Sequence, residues 1–98
     1  MAKVLFTVEY EISAENRESY LSSIRELKTL MKAEGLESYS VYEVRGKANN
    51  FQEQFVFTSE ESYDNYDDAD DDRINILLSK IEQLKKQGTT RYNTTVEI

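Results

Sequence analysis

The sequence predicts a single small α+β domain over residues 1–98, with strands and helices in the order β-α-β-β-α-β. Two kinds of pattern predict it. Apolar and polar residues alternate in several stretches, as in strands, and apolar residues recur every three or four positions in others, as in helices. Proline is absent and there are only 3 glycines, so we expect no long linker. A chain of this length buries a thin core, which favours pairing with a second copy.

The first strand is predicted close to the start of the chain. Apolar and more polar residues alternate over residues 4–12, which indicates a strand with one buried face. The apolar, even-numbered positions are Val4, Phe6, Val8, Tyr10 and Ile12. We expect this face to contact the helices.

The first helix is expected directly after this strand. Ser13 is predicted to cap its N-terminus, because a serine hydroxyl can accept a hydrogen bond from a free backbone N–H. Gly35 is predicted just past its end, in the left-handed conformation that glycine adopts without strain. The apolar stripe of this helix consists of Tyr20, Ile24, Leu27, Leu30 and Met31.

Two β-rich segments follow, over residues 37–45 and 51–58, and residues 46–50 between them suit a hairpin loop. Ser59 is then predicted to cap a second helical region, which the acidic stretch 67–72 interrupts. A stronger helix continues it, with the apolar stripe Ile74, Leu77, Leu78, Ile81 and Leu84. Residues 89–98 are predicted as a last strand that carries Tyr92, Val96 and Ile98 on one face.

This order is the split β-α-β, or ferredoxin-like, plan. We expect both helical regions on one face of an antiparallel sheet, with the first and third strands as its one parallel pair. The opposite face would carry Leu5, Thr7, Glu9, Gln52, Gln54, Arg91 and Asn93, with Glu9 and Arg91 able to pair. Such a mixed face can remain exposed to solvent, or it can pack on the sheet of a second copy. The second alternative, a homodimer, is favoured because it doubles a thin core.

Composition excludes several kinds of chemistry. The chain has no cysteine and no histidine, so it contains neither a Ser-His-Asp nor a Cys-His device, and no cysteine metal site. Its net charge of −7 opposes nucleic-acid binding. No apolar run approaches the roughly 18 residues of a membrane-spanning helix, and the start of the chain shows no signal-peptide pattern. We therefore expect a cytoplasmic protein with no membrane or nucleic-acid partner and no cofactor.

The strand-to-helix junction Phe55-Val56-Phe57-Thr58-Ser59-Glu60-Glu61-Ser62-Tyr63, in this order of elements, resembles the dimeric α+β barrel superfamily. Within it, the chain is most similar to antibiotic biosynthesis monooxygenase-like domains. The resemblance implies two sheets that form one barrel, helices outside it, and a pocket between helices and sheet in each subunit. The haem-degrading relatives use a histidine and a tryptophan, both absent here, so that activity is rejected. No catalytic residue can be carried over from the cofactor-independent oxygenases.

The tyrosines are the candidate ligand-binding residues. Tyr10 and Tyr92 are expected to point from the sheet toward the helices, and Tyr63 and Tyr66 to point back from the broken helix. Together they could line one cavity with apolar walls and a few hydroxyl groups. The alternative is that they fill the core or its rim.

The acidic residues Asp64, Asp67, Asp68, Asp70, Asp71 and Asp72 suggest calcium, but the glycine and the final glutamate of an EF-hand loop are missing. A solvated helix start, whose charges favour the N-terminal end of the helix dipole, explains them better, so no metal site is predicted.

Two functions remain open. One is a small-molecule binding domain, which as an enzyme would be cofactor-independent and monooxygenase-like. The other is a non-catalytic module for assembly or protein interaction, which fits the lack of any strong catalytic pattern.

Overall fold

The computed structural model describes residues 2–66 and 71–98. These residues form four strands, three α-helices and a short 3₁₀ turn at Ala14–Asn16. The elements in chain order are β1 (Val4–Glu11), α1 (Arg17–Leu30), β2 (Leu36–Glu43), β3 (Asn50–Phe57), α2 (Glu60–Asp64), α3 (Asp72–Leu84) and β4 (Arg91–Val96). The predicted ferredoxin-like α+β class and the broken second helical region are confirmed.

The four strands form one sheet in the order β2-β3-β1-β4, and every neighbouring pair is antiparallel. The prediction of a parallel pair between the first and third strands was therefore wrong. Helix α1 returns the chain so that β2 runs in the direction of β1, and the hairpin after β2 reverses β3. Strand β3 must then run opposite to β1.

One face of the sheet packs against α1 and α3, and it is the face that the alternation in β1 predicts. Val4, Val8, Tyr10 and Ile12 are buried, and Phe6 packs against the same core. The helices contribute their apolar stripes, whose buried members are Tyr20, Ile24, Leu27, Ile74, Leu77 and Ile81. An ion pair of 2.5 Å between Arg73 Nε and Glu26 Oε2 also joins the two helices.

The two predicted serine caps differ in outcome. The Ser59 hydroxyl accepts a hydrogen bond of 3.1 Å from the backbone N–H of Ser62, so it caps α2 as predicted. The prediction for Ser13 was wrong, because its side chain makes no capping hydrogen bond. The chain there forms a 3₁₀ turn, closed by a backbone bond of 2.9 Å from Asn16 N–H to the Ser13 carbonyl, before α1 begins.

Gly35 lies in the turn before β2, not directly after α1, which ends at Leu30. Its φ of +80° is the left-handed conformation that was predicted. A Cβ at this position would overlap the Ser62 hydroxyl, while the Gly35 carbonyl accepts a 2.8 Å bond from the Thr58 N–H. The glycine therefore allows the turn before β2 to contact the start of α2.

Strand β4 is the least covered part of the sheet. All six of its residues are exposed, whereas β1 and β3 each carry several buried residues on the helix-facing side. Tyr92 lies opposite Val8, so its side chain belongs to the helix-facing side, yet it is 66 % exposed. The helices thus leave the helix-facing side of the edge strand β4 exposed to solvent.

The opposite face of the sheet, which we call the open face, carries few charges. Three rows of cross-strand neighbours form its centre: Ser38-Val56-Leu5-Thr95, Ser40-Gln54-Thr7-Asn93 and Tyr42-Gln52-Glu9-Arg91. Beyond them, Glu11 continues the same side of β1 and forms an ion pair of 2.8 Å with Lys86. Charged residues make up 32 % of the chain, but these rows contain only Glu9 and Arg91. The register brings these two residues opposite each other as predicted, but they form no ion pair among the described contacts.

The two serines allow a matched test of helix capping. Replacing Ser59 by alanine removes the acceptor for the Ser62 N–H, so we expect a loss of about 1 kcal/mol in the free energy of unfolding. Ser13→Ala removes no such bond and should change stability by less than about 0.5 kcal/mol. Urea unfolding of both variants checks this, and equal losses would contradict it.

Candidate functional site

Strand β3 places a carboxyl group inside the core. Its helix-facing residues are Phe51, Glu53, Phe55 and Phe57, all of which are buried. Glu53 is only 4 % exposed and is the only buried charged residue among those the structure describes. Burying a carboxylate is expensive unless it is paired or hydrogen-bonded, so its surroundings need an explanation.

Three tyrosines surround Glu53, and together they form what we call the carboxyl cluster: Glu53, Tyr10, Tyr20 and Tyr39. The Tyr39 hydroxyl, from β2, donates a hydrogen bond of 2.6 Å to Glu53 Oε1. The Tyr10 and Tyr20 hydroxyls share a second bond of 2.6 Å, which connects β1 to α1. The Tyr20 ring also packs on Phe51, with 4.4 Å between ring centroids. The cluster therefore ties three elements around one carboxyl.

Lys85 is a cation that lies beside this cluster. Its Nζ lies 4.3 Å from the centroid of the Tyr10 ring, a cation–π geometry. The same Nζ forms an ion pair of 2.9 Å with Glu82 Oε2. Lys85 lowers the pKa of Glu53 through space, but its bonding capacity is directed to Glu82 and the ring.

Burial raises the pKa of Glu53 above the ordinary value of 4.5, while the Tyr39 and Tyr10 hydroxyls and the charge of Lys85 oppose this rise. Removing a charged group from water costs several kcal/mol, and a hydrogen bond to it returns about 1.5–3 kcal/mol, so burial outweighs the hydroxyls. Burial also raises the pKa of Tyr10, Tyr39 and Tyr20, with a further contribution from Glu53. The phenols therefore stay protonated and act as donors, and the carboxyl holds its proton to a higher pH than an exposed glutamate does.

A second group of aromatic residues lies beside the uncovered inner side of β4. We call it the aromatic surface, and it consists of the aromatic residues Phe6, Tyr63 and Tyr92 together with Thr94. The Tyr92 ring stacks on Phe6, with centroids 6.1 Å apart and planes 12° apart. Tyr63, on α2, lies 5.8 Å from Phe6, and its hydroxyl shares a 3.1 Å hydrogen bond with Thr94 Oγ1. These contacts leave most of the Tyr92 side chain exposed.

Tyr66 packs further along the same side. Its ring centroid is 5.2 Å from that of Phe57, and its hydroxyl donates a 3.5 Å hydrogen bond to Met31 Sδ. It also lines an open cleft of about 500 Å³, whose other residues are Lys32, Ala33, Glu34, Ser59, Glu61, Ser62 and Asn65. Polar groups dominate this cleft.

The structure thus divides the four predicted ligand-binding tyrosines. Tyr63 and Tyr92 meet on Phe6, Tyr66 lies at the polar cleft, and Tyr10 belongs to the carboxyl cluster. The best-defined clefts of the described residues each include at most one of the four. The aromatic surface and the carboxyl cluster are nevertheless adjacent, because Glu53, Val8 and Tyr92 lie side by side on three neighbouring strands.

The sequence analysis missed Glu53, Tyr39 and Tyr20 as site residues. The signal for Glu53 was present, because Phe51, Phe55 and Phe57 alternate around it and an inward strand position should be apolar. Tyr20 was assigned only to the stripe of α1. The pairing of Tyr39 with Glu53 depends on the register of β2 against β3, which the sequence does not show.

The acidic stretch yields no metal site within the part of the chain that is described. Asp67, Asp68 and Asp70 lie outside the described residues. Among residues 2–66 and 71–98, no three carboxylate side chains come together as metal ligands. Asp71 instead caps α3, accepting a 3.0 Å hydrogen bond from the Ile74 N–H. In the same residues, no helix has the length and apolar character needed to cross a membrane.

No protein-family model and no curated protein matches the sequence. Solved structures match its fold over almost the whole chain. A conserved protein from Methanosarcina mazei is 16 % identical, with a TM-score of 0.78, and the match covers 97 % of this chain and 92 % of that one. A structure described as an antibiotic biosynthesis monooxygenase is 16 % identical, with a TM-score of 0.70 and coverage of 100 % and 97 %. A variant of SnoaB, a cofactor-independent oxygenase from Streptomyces nogalater, is 13 % identical, with a TM-score of 0.70 and coverage of 95 % and 90 %.

The chain therefore has the fold of the antibiotic biosynthesis monooxygenase-like proteins, as its sequence pattern predicted. At these identities the likeness concerns the fold, and chemistry must be argued from the residues of this chain.

The raised pKa of Glu53 makes stability depend on pH in a predictable direction. The folded protein holds this proton more tightly than the unfolded chain does. Wild type should therefore lose stability as the pH rises from about 4.5 through the folded pKa. Glutamine does not ionise, so the free energy of unfolding of Glu53→Gln relative to wild type should increase over that window and stay constant below it. Urea unfolding of both proteins across pH measures this difference, and parallel curves would contradict it.

Proposed function

We propose that this protein binds a small aromatic molecule on the aromatic surface and acts on it as a cofactor-independent, monooxygenase-like enzyme. The observation that carries the proposal is the position of that surface. One strand, β1, separates Tyr92 of the aromatic surface from the buried carboxyl of Glu53, which has phenol donors around it. Small-molecule sites typically combine apolar walls with a few convergent polar groups of perturbed pKa.

The geometry of the aromatic surface suits a flat ligand. Tyr92 and Phe6 already stack in nearly parallel planes, and the outer side of the Tyr92 ring is exposed. A ligand ring laid there would gain a stacking contact with Tyr92. The buried Val8 lies between this position and Glu53. The Tyr63 and Thr94 hydroxyls at the rim can exchange their mutual hydrogen bond for bonds to the ligand. The fold shared with an oxygenase that needs no cofactor supports this class of activity.

The open face supports a second part of the proposal, that the protein functions as a homodimer. A depletion of charged residues distinguishes interface cores from ordinary surface. The three rows of the open face carry one acid and one base in a chain with net charge −7. Two copies can therefore pack these faces together without like-charge repulsion, and each gains the second layer that a small domain lacks. A non-catalytic assembly module would use the same face, but it gives no reason for the carboxyl cluster.

Ligand binding can be tested with two exposed tyrosines on opposite faces of the sheet. Tyr92→Ala removes the stacking platform, so the affinity for β-naphthol should fall at least about fivefold, equivalent to about 1 kcal/mol. Tyr42, which is 53 % exposed on the open face, is the control, and Tyr42→Ala should leave the affinity unchanged. Fluorescence titration of β-naphthol measures both. Equal affinity for all three proteins, or no binding to wild type, would contradict the proposal.

The dimer can be tested by mass. Light scattering at micromolar concentration should give twice the chain mass of 11.5 kDa. Gln54→Lys places a charge in the middle row of the open face, where two copies would repel, so it should shift the mass toward one chain. Ile76→Lys adds the same charge on the exposed side of α3 and should have no effect. A wild-type mass of one chain would remove the dimer.

A further inference from the structure

Strand β4 has an unprotected outer edge. It is the last strand of the sheet, and within residues 2–66 and 71–98 no strand pairs with its outer side. An edge strand presents unpaired N–H and C=O groups, and proteins usually protect such edges with charges, bulges or prolines. Strand β4 instead pairs with β1 without a register shift, and Arg91 is the one charged residue among its six.

The other edge of the sheet carries the usual protection. Strand β2 contains the acidic residues Glu37 and Glu43, and its pairing with β3 shifts register between Leu36 and Ser38. Charges and irregular pairing both oppose the addition of a further strand. The two edges of one sheet therefore differ, and β4 is the edge that suits strand addition.

The pairing of β4 with β1 shows which main-chain groups face the outer edge. The Glu97 N–H donates a 2.9 Å hydrogen bond to the Lys3 carbonyl, so Glu97 bonds toward β1. Along an antiparallel strand, residues alternate between bonding one neighbour and pointing away from it. The residues of β4 that point away from β1 are therefore Tyr92, Thr94 and Val96. Their N–H and C=O groups face the outer edge.

The sequence of this strand is complementary to itself when two copies run antiparallel about Thr94. In that register Thr94 lies opposite Thr94 of the second copy, and Tyr92 lies opposite Val96, an aromatic and β-branched pair of the kind that stabilises sheets. Arg91 lies opposite Glu97, so opposite charges meet at both ends of the pairing. Moving the centre by one residue in either direction separates Arg91 from Glu97. The charges therefore favour a single register.

We propose that β4 pairs antiparallel with β4 of a second copy, so that two sheets join into one continuous sheet centred on Thr94. This contact uses main-chain groups at the edge of the sheet, whereas the open-face dimer uses side chains on its surface. The pairing does not rest on the proposed function, because it can join two single chains as well as two open-face dimers. In this register Val96 of the second copy borders Tyr92, so each copy adds an apolar wall to the aromatic surface of the other.

The first test is the dependence of mass on concentration. A pair of six-residue strands buries less than the roughly 1,200 Å² of a stable interface, so the association should be weak. The mass from light scattering should therefore rise at least about 1.5-fold between about 10 μM and about 1 mM, above the concentrations that form the open-face dimer. A mass that stays constant over this range would overturn the proposal.

Two substitutions at the centre of the edge form a matched pair. Thr94→Pro and Thr94→Val both remove the hydroxyl that shares a hydrogen bond with Tyr63. Proline also removes the outward N–H, and edge strands tolerate it at such a position because the bonds to the inner neighbour remain. Thr94→Pro should abolish the rise in mass, and Thr94→Val, which keeps the N–H, should preserve it. The same mass curve for both variants contradicts the pairing.

A cross-link tests the register even if Thr94→Pro does not fold. The chain contains no cysteine, so one introduced thiol reports on one contact. Thr94→Cys places two thiols on Cα atoms about 5.5 Å apart across the two-fold axis, which is within disulfide range. Oxidised glutathione should link two copies of Thr94→Cys at least about tenfold faster than two copies of Thr29→Cys, which carries an exposed thiol on α1. Equal rates of linkage would refute the register.

The charge that disrupts the open face separates the two contacts. Gln54→Lys should lower the mass at micromolar concentration, but it should leave the cross-linking rate of Thr94→Cys unchanged. Cross-linking that continues when wild type is a single chain at micromolar concentration would remove the open-face dimer and still support the edge pairing. Cross-linking that Gln54→Lys abolishes would show that the Thr94 contact belongs to the open-face dimer, and the separate edge pairing would then be wrong.

Discussion

The antiparallel register of β1 and β3 is the constraint on which most of this structure depends. These two strands form the centre of the sheet, and their residues lie directly opposite one another from Val4 and Phe57 to Glu11 and Asn50. Because side chains alternate along a strand, one register fixes which residues of both strands face the helices. A shift by one residue would bring Gln52 and Gln54 into the core and expose three phenylalanines. The hydrophobic effect therefore selects this pairing strongly.

The same register introduces the polar exception within the core. Once Phe51, Phe55 and Phe57 face inward, Glu53 must do so as well, since it shares their parity. Its carboxyl is then removed from water and surrounded by hydroxyls from β1, β2 and α1. These hydroxyls offset part of the desolvation cost without supplying a full counter-charge, which is why the proton affinity of Glu53 rises. The packed layer of β3 and its buried carboxyl of raised pKa are thus both consequences of the alternation along one strand.

The two faces of the sheet are incomplete in different ways. On the helix side, α1 and α3 pack against the inward residues of β1 and β3, and the aromatic residues beside β4 remain exposed. On the opposite side, no element of the described chain covers the sheet, and its residues are mostly uncharged. The first gap has the character of a small-molecule surface and the second that of a protein interface, since one is aromatic and narrow and the other broad and charge-poor.

Local patterns in the sequence determined the element order, the helix-facing side of β1, both apolar stripes and the Ser59 cap. Each of these features depends on residues within a few positions of one another, and hydrophobic periodicity is a pattern of that same short range. The direction of β3 relative to β1, the failure of Ser13 to cap, and the division of the four tyrosines required the tertiary structure. These features depend on the direction in which each connection leads the chain and on which groups form a hydrogen bond with each backbone N–H.

The carboxyl cluster shows most clearly what local sequence patterns can predict and what they cannot. The alternation of β3 is enough to place Glu53 inside, so its burial was readable from the sequence. Its partners were not, because Tyr39, Tyr10 and Tyr20 come from three other elements that meet only when the register of the sheet and the position of α1 are fixed. The pKa of a buried carboxyl depends on those neighbours within a few ångströms, and only the folded chain brings them together.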